Sequence, residues 1–190
     1  MYKKIPFQDC KTLFGHFELS EDAMALVNEG NAPKDVIDVL YDKALFLDLT
    51  HFYCHALPMR EVLWWTVNAL EIREDVWTPL ELQLLQDCKR WVKEPQEGQR
   101  RAIEQKLKRI KNTSAIFWLS QAVVWNGSGS LAPIDAPVVF PKAFLYSKAA
   151  AGAINTAAVV PEWKSYTSYY KSVFAMALDL ANGGPGMIKR

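Results

Sequence analysis

The chain has 190 residues, the length of one domain, and half of them are hydrophobic and 12% aromatic, so it can bury a sizeable core. Its 22 basic and 21 acidic residues leave a net charge of +1, which excludes the strong field that gathers nucleic acid or an anionic membrane surface. No run approaches the ~18 uninterrupted apolar residues of a membrane span.

The N-terminus, MYKKIPFQDCKTLF, has two lysines but no apolar stretch behind them, so it does not read as a secretory signal. Residues 1–19 read as an arm, loosely attached to the rest. Cys10, Cys54 and Cys88 are odd in number and scattered, unlike a disulfide framework, and the expectation is a soluble cytoplasmic protein.

Prolines then punctuate the chain. Proline lacks a backbone N–H and its φ is fixed near the helical value, so it is best tolerated at the first helical position. Pro33, Pro58, Pro79, Pro95, Pro141 and Pro161 each precede a stretch with helical periodicity. Ser20 is placed to cap a helix over 20–29 that Gly30 would end, and Thr78-Pro79-Leu80-Glu81 reads as a capping box. The pattern predicts helices over 20–29, 33–41, 43–57, 58–73, 78–94, 96–111, 113–125, 141–159 and 161–182, the last closed by Gly183-Gly184-Pro185. Arg100 to Lys111, with basic residues between apolar ones, reads as a solvated helix face rather than an anion-binding surface. Short connections favour antiparallel neighbours. The expected fold is all-α: a single compact bundle of about eight or nine helices over 1–190, arranged as stacked helical hairpins.

One connection is long. Asn126 to Phe140, NGSGSLAPIDAPVVF, has a flexible first half and an apolar second half, and loops of this length are often functional. Leu131, Ile134 and Val138 are expected to pin it onto the core. Pro137 to Pro141 is too short and too proline-bounded for a central strand, so an extended loop is predicted there.

The stretch HALPMREVLWWTVNAL, residues 55–70, carries the most unusual pattern. On a helical wheel Arg60, Glu61, Asn68 and Glu71 make a polar arc opposite an apolar one, and Trp64 falls in the middle of the polar arc with Trp65 at its edge. Two readings fit. Arg60 can stack on Trp64 at the i to i+4 spacing, within a half-buried structural face. Alternatively the face recognises a partner, since Trp and Arg are the residues enriched in interface hot spots.

Catalytic signals are sparse. His51 and His55 share a helix face at a spacing that can chelate zinc, with Glu61 or Cys54 as a third ligand, but the Glu of an HExxH motif is missing. No GxSxG, P-loop or GxGxxG pattern occurs. Trp163, Tyr166, Tyr169 and Tyr170 read as core and rim of the last helix rather than as a base-stacking platform.

Leu57-Pro58-x-Arg60-Glu61-x-x-Trp64-Trp65 resembles the signature of an uncharacterised family of small bacterial proteins. Ser130-Leu131-Ala132-Pro133, Pro137-Val138-Val139, Ala149-x-Ala151-Gly152-Ala153 and Phe174-x-x-x-Leu178-Asp179-x-Ala181-x-Gly183 are similar to its later segments. The likeness spans most of the chain after about residue 33, with Val62 and Thr66 where the family usually has Ala. The family has no assigned activity, and its association with type VI secretion genes implies a role in handling spike, adaptor or effector proteins.

The expectation is therefore a non-enzymatic protein-binding accessory, adaptor or chaperone factor without a cofactor or resident metal, and with no nucleic-acid or membrane partner. Its candidate contact residues are Arg60, Glu61, Trp64 and Trp65 on the helix and Asn126, Gly127, Ser130, Leu131 and Pro133 in the loop, a flexible element that orders on the partner. The alternatives are a metal protein or enzyme centred on His51, His55 and Glu61, and a toxin immunity protein.

Overall fold

The computed structural model describes residues 2–187. Its α-helices are α1 (Lys11–Phe14), α2 (Glu21–Met24), α3 (Pro33–Asp42), α4 (Phe46–Ala56), α5 (Met59–Glu71), α6 (Pro79–Lys93), α7 (Glu97–Leu107), α8 (Ala115–Val124), α9 (Leu145–Ala158) and α10 (Tyr166–Ala181). Single 3-10 turns lie at Glu74–Val76 and Trp163–Ser165, and there is no strand among the described residues. The chain is all-α. Eight of the ten helices are longer than one turn, and α6, α7, α8 and α9 each pack on the next.

Several boundaries follow directly from local chemistry. Pro33 and Pro79 occupy the first turns of α3 and α6. The capping box forms, with Thr78 N–H donating to Glu81 Oε2 at 2.9 Å and Glu81 N–H donating back to Thr78 Oγ1 at 3.4 Å. α10 ends in a Schellman motif: Gly183 adopts φ +90°, its N–H donates to Leu180 O, and the Gly184 N–H donates to Asp179 O, both at 2.8 Å.

α9 sits at the centre because it is small. Ala149, Ala150, Ala151, Ala153, Ala157 and Ala158 are all buried, and α4, α5 and α8 pack against it. Side chains this short let helix axes approach closely. The indole of Trp118 on α8 comes within 3.8 Å of where a Cβ at Gly152 would stand.

Three expectations are corrected. The helix over 20–29 is a single turn. Ser20 Oγ does cap it, accepting from Ala23 N–H at 3.2 Å, but further on the Asn28 side chain accepts from Gly30 N–H and Asn31 Oδ1 accepts from Asn28 N–H, offering the backbone a turn in place of a helix. The last two helices start later than Pro141 and Pro161 suggest, at Leu145 and Tyr166. Residues 2–19, expected as a loose arm, are packed: Ile5, Cys10, Leu13 and Phe17 are buried, and Lys4 N–H donates to Ala181 O at 3.0 Å. Their apolar residues are too widely spaced to show a period, yet each finds a place in the core.

Candidate functional site

Pro58 is the N-cap of α5, and every polar head on the outer arc of that helix meets another part of the chain. The Arg60 guanidinium donates to Val92 O at 2.7 Å and Lys93 O at 3.0 Å, two of the carbonyls that the end of α6 leaves unpaired. Glu61 pairs with Lys4 of the N-terminal segment. The Trp64 indole N–H donates to Pro185 O at 2.8 Å, and the Asn68 amide donates to Gly186 O at 3.3 Å, so α5 also holds the tail after α10. Glu71 accepts both bonds of Lys89, at 2.6 and 2.8 Å.

Arg60 does not stack on Trp64. The cations over that ring are Lys89 and Lys93, with Nζ 6.0 and 5.8 Å from its centroid. Trp65 is fully buried, against Tyr53 and Phe174, and its N–H donates to Val173 O at 2.8 Å, so it offers no surface to a partner. What remains open is a shallow cleft of about 420 Å³ lined by Arg60, Glu61, Trp64, Val92 and Lys93. Its groups can accept an acidic or aromatic side chain, but most of their bonding capacity is already used.

The 126–140 loop divides into a pinned half and an open half. Asn126 is buried in its own turn, donating to Val123 O at 2.6 Å and accepting from Ser128 N–H at 2.9 Å, and is thereby withdrawn from any contact role. Gly127 is exposed at φ +95°. Arg100 on α7 is fully buried beneath the loop; it donates to Ser130 O at 2.9 Å and Val124 O at 3.2 Å while Glu97 holds it with two bonds of 2.6 Å. A Cβ at Gly129 would stand 2.4 Å from Arg100 Nε, so only glycine fits over the guanidinium. Arg101 donates to Ala132 O at 2.9 Å. The Gly127–Pro133 stretch is thus held in place without a partner over most of its length.

Leu131 packs against the core as expected, and Pro133 is exposed. Ile134 and Val138 do not pin the loop. Ile134 is 87% exposed, Val138 65%, Val139 54% and Phe140 63%. Beside them lies a cleft of about 460 Å³ between α7 and the loop, lined by Arg101, Ala102, Glu104, Gln105, Pro133, Ile134 and Asp135.

The three histidines gather in a column of near-parallel rings. Phe17 stacks on His55 with centroids 4.6 Å apart, His55 and His51 are 6.2 Å apart, and Phe144 lies between His55 at 5.7 Å and His16 at 4.1 Å. Phe144 reaches that place in the left-handed region, at φ 59°. His55 Nδ1 donates to His51 O at 2.7 Å, leaving a buried Nε2 with no partner among the described residues. Burial pushes the His55 pKa down to about 4, and that of His51 also falls. Glu61 is taken by Lys4 and does not join them. Among the described residues no three His, Cys, Asp or Glu side chains are grouped to hold a metal ion. Cys54 is buried too, and burial raises its pKa.

A family model described as Family of unknown function (DUF6931) matches residues 36–181. The chain belongs to that family. No curated protein matches it, and no solved structure does. The matched segment of this DUF6931 chain runs from α3 to the end of α10. It leaves outside the Lys4 and Pro185–Gly186 groups that complete the arc of α5.

Sequence reasoning missed Arg100 and Arg101 as anchors of the loop. A signal was available: Arg100, Ile103 and Leu107 fall on one stripe at spacings of three and four, and all three are buried. The acid that satisfies Arg100 stands three residues earlier, at Glu97.

Proposed function

We propose that this chain is a non-enzymatic protein-binding module, an accessory or adaptor factor, and that its contact surface is the open half of the 126–140 loop. One observation carries this reading: four apolar side chains, Ile134, Val138, Val139 and Phe140, stand more than half exposed on a segment whose base is fixed by two arginines. Apolar groups grouped this way on a surface mark contact sites. The α5 arc, with Arg60, Glu61 and Trp64, contributes at most a secondary cleft, since its polar heads serve the chain's own segments. The likeness of the tryptophan motif to the bacterial family near type VI secretion genes supports a spike, adaptor or effector as the partner. It also supports a cytoplasmic site of action, where three reduced thiols are at home.

The test is affinity capture from a bacterial extract containing type VI components. Wild type, a Val138→Asp/Phe140→Asp variant and an Arg60→Ala variant serve as baits, each shown folded by circular dichroism. The expected result is one secretion protein retained by wild type and Arg60→Ala and lost by the loop variant. Loss with Arg60→Ala alone would move the site to the α5 cleft, and equal recovery by all three would remove the loop from the function.

A further inference from the structure

We infer that the cleft between α3 and α10 binds a free amino acid with a large apolar side chain. The site shares no residue with the 126–140 loop, so it goes beyond the protein-binding reading and does not depend on it. The cleft measures about 420 Å³, within the range of small-molecule pockets. Its floor is apolar: Tyr53 of α4, Phe174 of α10 and Ile37 of α3 line it, and all three are buried. The Tyr53 and Phe174 rings lie near-parallel with centroids 6.1 Å apart. The walls are opposite in charge. α3 carries Asp38 and Asp42 one turn apart, and α10 carries Lys171. Lys34 already pairs with Asp38.

Three polar groups of the cleft are unused. The side chains of Asp42 and Lys171 have no ion pair or hydrogen bond among the described residues, and although both line the cleft they do not pair with each other. The third is the Tyr53 hydroxyl, which has no partner among the described residues on a side chain only 1% exposed. Burial first, then Tyr2 and Asp38, raise its pKa, so it stays a phenol able to donate. These groups select the ligand. A lone cation would meet Lys171, a lone anion would meet two carboxylates, and a purely apolar molecule would cover all three groups without satisfying them. A zwitterion with an apolar side chain answers each of them. Its ammonium pairs with Asp42, its carboxylate accepts from Lys171 and the Tyr53 hydroxyl, and its side chain lies on the floor. Within a peptide an amide replaces one of the two charges, so a free amino acid matches better than either end of a chain.

The probes are L-phenylalanine, L-phenylalaninamide, which lacks the carboxylate, and N-acetyl-L-phenylalanine, which lacks the ammonium. Each is titrated into the full chain while the Ile37 methyl resonances are followed by NMR. The expected result is saturable binding of phenylalanine with a Kd of about 1 mM or below, within reach of a ligand of about a dozen non-hydrogen atoms. Each analogue should bind about fivefold or more weakly. Asp42→Asn should weaken phenylalanine and its amide by about fivefold or more and leave the acetyl analogue within about twofold. Lys171→Gln should do the reverse, sparing only the amide. Both residues are exposed, so thermal unfolding should stay at the wild-type midpoint. Tyr53→Phe, which keeps the buried ring, should weaken phenylalanine and the acetyl analogue and spare the amide.

No saturable shift with any of the three probes well above that Kd would overturn the proposal. Equal binding of all three would reduce the cleft to an apolar slot and overturn the zwitterion. One analogue binding as tightly as phenylalanine would assign the cleft to a chain terminus and overturn the free amino acid. Equal weakening of all three ligands by both charge variants would assign Asp42 and Lys171 a structural role and overturn the site. In each case the capture experiment with Val138→Asp/Phe140→Asp still decides separately whether the loop binds protein.

Discussion

The polar heads along the outer arc of α5 end on three parts of the chain, the N-terminal segment, α6 and the tail after α10, so substitutions there report on those attachments. Trp64→Phe keeps an aromatic ring at the position, smaller than the indole, and deletes the N–H to Pro185 O. It should cost about 1 kcal/mol, read as a lower urea midpoint, and should speed amide exchange at Gly186. Arg60→Ala deletes two bonds to the end of α6 and should cost about 1–3 kcal/mol, with faster exchange in the last turn of that helix. A Trp64→Phe protein as stable as wild type would show that the tail is not held by this bond. The wheel placed Trp64 correctly in the polar arc, and it could not say why. Its acceptor lies 121 residues away, and no local pattern encodes a pairing at that range.

At the scale of the element, α7 and the loop form a unit joined through one buried guanidinium. Arg100→Ala should destabilise the fold by about 2–4 kcal/mol, because it deletes bonds to Ser130 O and Val124 O and leaves the buried Val124 carbonyl without that partner. Gly129→Ala should also destabilise and should loosen the loop, seen as new proteolysis between residues 127 and 133. The helices themselves were legible, since periodicity, the proline starts and the capping box place α3 to α8 within a few residues. The loop was legible as a loop but not in its division. Leu131 packs while Ile134 and Val138 stay out, and all three read as equally apolar in sequence. The basic run at 100–111 misled for the opposite reason, because charge outweighed the stripe that points Arg100 inward.

For the whole molecule, the histidine column predicts an acid-sensitive fold. Unfolded His55 titrates near 6.5 and the folded residue near 4, so the native state resists the proton that the unfolded chain accepts. Stability is then full above about pH 6.5, falls between 6.5 and 4, and His55 alone accounts for about 3 kcal/mol of the loss. His51 adds in the same direction. Urea midpoints from pH 8 to pH 4 check this, and His55→Phe should flatten much of the slope; an unchanged slope would assign the acid sensitivity to carboxylates. The buried thiols give a second global readout. Burial pushes Cys10 up to about 11 and Cys88 up to about 12, and Cys54 rises as well, so none should react with a thiol reagent at pH 8 until the protein unfolds.

The distance between α5 and its acceptors also bears on how the protein is made. Trp65 donates to a carbonyl 108 residues downstream and Trp64 to one 121 residues downstream. A ribosome adding about 5–20 residues per second needs on the order of ten seconds to deliver them after α5 has been synthesised. Throughout that interval two adjacent indoles lack their final partners on a nascent chain. Slower translation between α5 and α10 would lengthen that exposure.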